Sequence, residues 1–160
     1  MKKLIFCALA LILGLTLSSS GCTHDSMGPD SNYIGTWKAS GGGTTYTATF
    51  TSDNKFILES VFGVNTVGYI MENLTWTPIT NTTGALFATY QTGYAIKGKV
   101  KAMTGSISIP KADGSAGSAA IGDTGILWWY ISLDKRSIAM GDHSTPAHEA
   151  FSPPILLKQP

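Results

Sequence analysis

Thr44–Phe50 reads Thr-Thr-Tyr-Thr-Ala-Thr-Phe, and the fold follows from this stretch. Its larger apolar residues, Tyr46, Ala48 and Phe50, occupy the even positions, and threonine occupies the odd ones. Successive side chains of a β-strand point to opposite faces of the sheet. The alternation therefore predicts a strand with one buried face and one face in water.

Short β-rich runs of the same kind follow one another after residue 33, separated by turns such as the glycine triplet at 41–43. No segment of about twelve or more residues carries a convincing helical stripe. We expect strands in the runs 36–39, 44–51, 55–61, 66–71, 73–77, 85–91, 94–103, 106–109, 125–133, 137–140 and 150–157.

The close spacing of these runs and the lack of crossover helices predict an all-β fold, an antiparallel meander of roughly eight strands. A meander of that size protects its edges best by closing into a barrel. An open two-sheet β-sandwich is the alternative architecture. Residues 110–124 are rich in Gly, Ala and Ser, and we expect this loop to have little to pack.

The charge content is low: 13% of the 160 residues are charged, and the formal net charge is +1. Such a chain has no basic field that would collect nucleic acid, so we expect no nucleic-acid partner. Lys97, Lys99 and Lys101 alternate along one predicted strand and form a short basic stripe on one face. We expect this stripe to protect a sheet edge or to face water, and contact with an anionic surface is the alternative.

Residues 1–21 have the three parts of a secretory signal peptide. Lys2 and Lys3 give a positive start, residues 4–17 are an apolar run, and residues 18–21 are small and end directly before Cys22. Cys22 after Ser-Gly resembles the lipobox of bacterial lipoproteins, in which the thiol is thioether-linked to diacylglycerol and the leader is removed. The alternative is an ordinary secreted protein with a free N-terminal cysteine.

The cysteine content agrees with lipid attachment. Cys7 lies in the leader, so Cys22 is the only thiol of the exported chain, and one cysteine cannot form an intramolecular disulfide. The resemblance to lipoprotein sorting signals, in which Thr23 stands where an Asp would retain the protein, implies the outer membrane of the cell envelope. The membrane is then a partner, held through acylated Cys22.

Residues 22–32 are predicted to be the acylated cysteine and a flexible tether. The stretch is polar, carries Gly28 and Pro29, and shows no apolar periodicity. The β-barrel domain is predicted to occupy residues 33–160.

Residues 34–38, Ile-Gly-Thr-Trp-Lys, resemble the Gly-x-Trp opening of the lipocalin and calycin superfamily. The stretch 46–56 looks like the second strand, turn and third strand of small bacterial lipocalin-like lipoproteins. The resemblance implies a barrel whose closed end is plugged by Trp37, with Gly35 permitting the tight approach of the chain. It also implies a basic residue capping the tryptophan, for which Arg136 and Lys158 are the candidates.

Residues 128–130, Trp-Trp-Tyr, are the densest aromatic run. Alternate members of a strand face opposite ways, so Trp128 and Tyr130 share one face and Trp129 takes the other. If Trp129 points inward, it and Trp76 would line a cavity suited to an apolar or ring-shaped ligand. The alternative is that inward aromatics fill the core, because an eight-stranded barrel is just wide enough for side chains.

Metal binding and catalysis find little support. His143 and His148 are weak candidate metal ligands, but their spacing matches no zinc signature, and we expect a solvated loop there. No Gly-x-Ser-x-Gly elbow, Cys–His pair or phosphate-binding loop occurs in the sequence. We expect a protein that is not an enzyme and needs no cofactor.

Two functional hypotheses remain. In the first, a lipid-anchored envelope protein with a lipocalin-like barrel binds a small apolar or amphipathic ligand. In the second, a non-enzymatic envelope accessory protein binds another protein through its outer face or loops, and the barrel is only a scaffold. The outward member of the tryptophan pair 128–129, with Tyr90, Tyr94 and Phe62 near strand ends, is the candidate docking patch of the second hypothesis.

Overall fold

The computed structural model describes residues 29–80, 89–141 and 155–160. None of these residues is helical, and no helix among them is long and apolar enough to cross a membrane. The described chain forms eight strands: β1 (Gly35–Gly41), β2 (Thr44–Phe50), β3 (Phe56–Phe62), β4 (Asn65–Thr80), β5 (Thr92–Thr104), β6 (Thr124–Ile131), β7 (Ser137–Gly141) and β8 (Ile155–Lys158).

Each strand pairs antiparallel with the next, and β8 pairs back onto β1, so the sheet is a closed barrel. Closure is short: Trp37 lies opposite Lys158 and Lys38 opposite Leu157, and the Gln159 amide donates to the Thr36 carbonyl at 2.9 Å. The predicted antiparallel meander of eight strands closing into a barrel is confirmed. The alternative sandwich is not formed.

The meander gives the barrel two ends. One, the Trp37 end, holds the start of β1 and the turn between β2 and β3. The other, the far end, holds the turn Gly42-Gly43, the turn Gly63-Val64 and the segment 105–123 between β5 and β6. These two ends are the reference points for the surfaces described below.

The alternation in β2 is the one that the sequence predicts. Ala48 and Phe50 are buried, whereas the threonines of the other face are half-buried. Thr49 shares a hydrogen bond with Thr36 of β1 between their hydroxyl oxygens at 3.2 Å. The outer threonines therefore reinforce the pairing between strands, and the inner residues contribute to the core.

The core consists of apolar side chains that project inward from the strands. Aromatic rings meet there edge-on or tilted, with centroids 4.6 to 5.8 Å apart. Pairs at such separations each add about 0.5–1.5 kcal/mol beyond the burial of their area. The rings in this network are those of Tyr33, Phe50, Phe56, Tyr69, Trp76, Tyr94 and Trp129.

The strand β4 is one long strand where the sequence predicts two runs. Its pairing with β5 shifts register between Glu72 and Thr75, and Asn73 there has a left-handed φ of 57°. Asn54, in the turn after β2, holds this bulge by donating to the Leu74 carbonyl at 2.6 Å. The bulge resets the alternation, which is why the sequence reads as two strands.

The segment 105–123 departs from the expectation that residues 110–124 have little to pack. Ile109 and Ala119 are completely or almost completely buried, and the Ala119 amide donates to the Ile109 carbonyl at 2.7 Å. A Cβ on Gly125 would lie 2.6 Å from the Ile109 side chain, so that glycine makes room for it. Residues 106–109, which the sequence predicts to be a strand, form none. The segment instead folds back over the far end of the barrel.

Replacing the buried isoleucine of this segment tests its packing. We expect Ile109→Ala to lower the free energy of unfolding by about 2–5 kcal/mol, since it leaves a cavity in the core. Ile121→Ala is the matched control, because that side chain is 63% exposed, and its effect should stay within about 0.5 kcal/mol. Urea unfolding followed by circular dichroism measures both. Equal, small effects would mean that the segment is not packed.

Candidate functional site

The Trp37 end is closed by a stack of chain elements. Trp37 is fully buried, and its indole N–H donates to the Tyr33 carbonyl at 2.8 Å. The Lys158 ammonium lies 5.2 Å from the centroid of the Trp37 ring and donates to the Asn32 carbonyl at 3.2 Å. Of the two basic residues considered as a cap, Lys158 is the one that the structure places over the tryptophan.

Gly35 occupies a backbone conformation that suits glycine. Its φ is 126°, a region that residues with a Cβ rarely adopt, and it turns the chain into β1 directly before Trp37. An added Cβ would also lie 3.6 Å from the Lys158 side chain. The glycine, the tryptophan and the lysine thus meet at one end of the barrel.

Asp30, which lies within the predicted tether 22–32, makes defined contacts with the barrel. The Asp30 carboxylate accepts from the Asn32 amide at 2.8 Å and from the Tyr94 hydroxyl at 3.2 Å. Tyr33 follows into the core, where its hydroxyl donates to the Trp129 carbonyl at 3.1 Å and burial raises its pKa strongly. The folded unit therefore includes residues 30–32.

The structure places Trp76 and Trp129 inside the barrel, on either side of Phe50. Their rings lie 5.6 and 5.8 Å from the Phe50 ring, and both side chains are buried. The alternation in β6 is as predicted, with Trp129 inward and with Trp128 and Tyr130 half-buried on the outer face. Both inward tryptophans thus belong to a packed aromatic network.

The two indole N–H groups differ. That of Trp76 donates to the Asn54 side-chain carbonyl at 3.1 Å. That of Trp129 is buried and has no hydrogen-bond acceptor among the described residues. The Phe50 ring stands at 87° to the Trp129 ring, and aromatic faces are weak acceptors at best. An unpaired buried donor costs free energy, which the packing of the Trp129 ring has to offset.

Two depressions on the surface of the described residues are lined by neither Trp76 nor Trp129. The larger, of about 560 Å³, opens at the far end between the end of β5 and the segment 105–123, where Met103 and Ile107 line it. The smaller, of about 250 Å³, is lined by Lys111, Asp113, Asp123 and Thr124.

Two acidic groups of the described residues, Asp113 and Asp134, accept hydrogen bonds in turns. The pKa of Asp113 is lowered by hydrogen bonds from the Ser115 amide and hydroxyl, and that of Asp134 by hydrogen bonds from Ser132 and the Arg136 amide. No cluster of three or more His, Cys, Asp or Glu side chains occurs in residues 29–80, 89–141 and 155–160. His143, His148 and the lipidation candidate Cys22 lie outside the described residues, as do the leader and residues 22–28.

The far end carries exposed apolar side chains at its tips. Phe62 is 59% exposed, Val64 is 99% exposed, and Ile121 lies at the same end of the barrel. We call these three residues the far rim. Of the other aromatic residues expected in an outer patch, Tyr90 is buried and Tyr94 points inward against Trp76, so the sequence-based grouping is wrong for these two.

The predicted lysine stripe on β5 is exposed along the outer wall. Lys101 forms an ion pair with Glu72 at 3.6 Å, and both side chains keep contact with solvent. Exposed pairs of this kind contribute little to stability, about 0–1 kcal/mol. The lysine stripe is therefore part of the outer face of the barrel that contacts water.

Removing the tryptophan of the closed end tests its structural role. We expect Trp37→Ala to lower the free energy of unfolding by about 3–5 kcal/mol, because a fully buried ring is lost. Lys158→Met keeps the alkyl chain over the ring and removes the charge, so it should cost only about 0.5–1 kcal/mol. Urea unfolding followed by circular dichroism measures both variants. An unchanged midpoint for Trp37→Ala would contradict the assignment of an end plug.

Comparisons of the chain with protein-family models, with curated proteins and with solved structures found no match. The contacts and surfaces described above are therefore what supports a function for this chain.

Proposed function

We propose that this chain is a lipid-anchored, non-enzymatic protein of the cell envelope, whose lipocalin-like barrel is a scaffold that binds another protein through its outside. The observation that carries the proposal is the aromatic network inside the barrel. Trp76 and Trp129, the side chains expected to line a ligand cavity, pack against Phe50. A barrel filled in this way leaves its outer surface and loops for binding.

The geometry of the Trp37 end supports the calycin-like part of the proposal. A glycine with positive φ, a buried tryptophan two residues later and a lysine over its ring agree with the arrangement that the Gly-x-Trp resemblance implies. The eight-stranded meander is the architecture expected with it.

The lipid anchor rests on the leader and on Cys22. From Cys22 to the ordered Asp30 the chain has eight residue steps, which span about 28 Å at most. Acylation of Cys22 would therefore hold the Trp37 end close to a bilayer. By the sorting resemblance this would be the outer membrane, and the far end would be free to meet partners.

The far rim is the surface that suits a protein partner. The stretches 40–45, 61–66, 104–110 and 114–122 of this end contain no Asp, Glu, Lys or Arg, and the charged residues of its described part, Lys111, Asp113 and Asp123, lie together around the smaller depression. Phe62 lies in a tight turn with Gly63, whose φ is 58°, and a Cβ on Gly43 would be 3.7 Å from its ring. Uncharged cores with exposed aromatic side chains are typical of protein interfaces.

A small apolar or amphipathic ligand is the second candidate function. The depression of about 560 Å³ at the far end, with Met103 and Ile107 in its wall, favours it. The depression is shallow and open to solvent, so a ligand there would remain partly exposed. Such a ligand would sit at the mouth of the barrel rather than between the two buried tryptophans.

Site-specific photo-crosslinking in intact cells tests the protein-binding function. A crosslinking residue in place of Val64 should give one discrete adduct, and Phe62→Ser should remove it by weakening the far rim. The same residue in place of Ile57, an exposed position on the wall of β3, is the matched control and should give no such adduct.

Native mass spectrometry of the protein purified from its own source separates the two candidates. A protein free of any stoichiometric small molecule agrees with a scaffold. A retained molecule that is lost when Met103 or Ile107 is replaced by a charged residue would contradict the scaffold and support the second candidate.

A further inference from the structure

The outer surface of β5 to β8 carries a continuous set of apolar side chains. Residues opposite each other in register share a face of the sheet, and Ala95 lies opposite Trp128, Tyr130 opposite Ala139, and Ala139 opposite Ile155. Because Trp129 points inward, all of these point outward. We call this set the apolar wall: its accessible members are Trp128, Tyr130, Ile155 and Leu157, whereas Ala95 and Ala139 between and beside them are only 8% and 1% exposed.

Small residues let the aromatic rings of the apolar wall lie against the backbone. A Cβ on either Gly93 or Gly141 would collide with the Tyr130 ring, which these two glycines therefore flank on β5 and β7. The ring is partly removed from water, and this burial raises its pKa. Ile155 and Leu157 complete the surface on β8 and are 44% and 58% exposed.

Charged residues stand at the two edges of the apolar wall rather than within it. Lys38 of β1 lies opposite Leu157, and Lys97 of β5 follows Ala95 by two positions on the same face. Both lysine side chains are exposed. The surface is thus an uncharged centre of aromatic and aliphatic groups, flanked by ammonium groups that could meet phosphates.

The predicted tether joins the barrel at the Trp37 end of the strands that carry this surface. Asp30 accepts a hydrogen bond there from the hydroxyl of Tyr94 on β5, whose ring points inward, and the Lys158 ammonium of β8 donates to the Asn32 carbonyl. The span of about 28 Å from Asp30 to Cys22 is short enough to bring the wall to the surface that holds the anchor.

We propose that the apolar wall rests on the lipid bilayer to which the chain is anchored. Trp and Tyr side chains favour the interface between membrane and water, aliphatic side chains bury in it, and lysines at the edges reach the headgroup phosphates. The inference rests on the proposed lipid anchor. The anchor would hold the apolar wall near a bilayer, and for this reason we infer contact with lipid and not with a protein partner.

The tryptophans of the chain offer a direct probe of this contact. Of the four, Trp37, Trp76 and Trp129 are buried, and Trp128 alone is partly exposed. The experiment uses the full acylated protein in vesicles of phosphatidylcholine and phosphatidylglycerol, with and without brominated acyl chains that quench indoles at short range. Flotation of the vesicles is measured on the same samples.

We expect brominated lipid to quench part of the fluorescence, by at most the share of one tryptophan in four. Trp128→Phe should remove the quenchable part and leave flotation unchanged. Leu157→Ser should weaken the quenching because it makes the wall more polar. Ile57→Ser, on β3 across the barrel from β7, is the matched control and should quench like the parent protein.

Quenching and flotation together distinguish failure of the proposed bilayer contact from failure of the proposed lipid anchor. Protein that floats with the vesicles but is not quenched by brominated lipid overturns the proposed contact and leaves the apolar wall for a protein partner. Quenching that survives Trp128→Phe, or that Leu157→Ser and Ile57→Ser reduce equally, also overturns it. Protein that does not float refutes the lipid anchor and the contact together.

Discussion

Phe50 is in ring contact with Tyr33, Phe56, Trp76 and Trp129, and through them the strands β2, β3, β4 and β6 and the segment before β1 meet inside the barrel. A sheet of eight strands closes around a space just wide enough for side chains, so rings of this size occupy it. The same packing decides where binding can occur. With Trp76 and Trp129 held against Phe50, the surfaces available to a partner are those outside the barrel.

Closure of the barrel depends on few residues. The strand β8 is four residues long, yet it pairs with both β1 and β7 and carries Leu156 into the core. Its last residue, Lys158, lies over the buried Trp37 ring. The first and last described segments are thus joined at the Trp37 end.

Much of this fold can be predicted from the sequence, because the side chains of a β-strand alternate between the two faces of the sheet with a period of two residues. The alternation in residues 44–50 predicts the buried side of β2, and residues 128–130 sort into one inward and two outward rings. Local patterns fail where the partner is distant. Ile109 sits among Ser and Gly, and its burial depends on space beside Gly125 that only the folded chain provides.

The surfaces are less predictable than the strands. That Lys158 and not Arg136 lies over Trp37 depends on the register between β1 and β8, which no local pattern shows. The apolar wall likewise joins residues of four strands that are adjacent only once the meander has closed. Two tyrosines near strand ends are also placed differently from what the sequence predicts. Tyr90 is buried and Tyr94 points inward, and neither position follows from a local sequence pattern.

The proposed scaffold function depends on a barrel interior that is filled by side chains. Hydrogen exchange at the tryptophan indole groups, followed by nuclear magnetic resonance, tests the filled interior most directly. The Trp129 indole N–H has no acceptor among the described residues, so exclusion of water must protect it. A packed interior predicts that it exchanges as slowly as core backbone amides. Exchange at Trp129 as fast as in a free indole in water would reveal water inside the barrel and contradict the account.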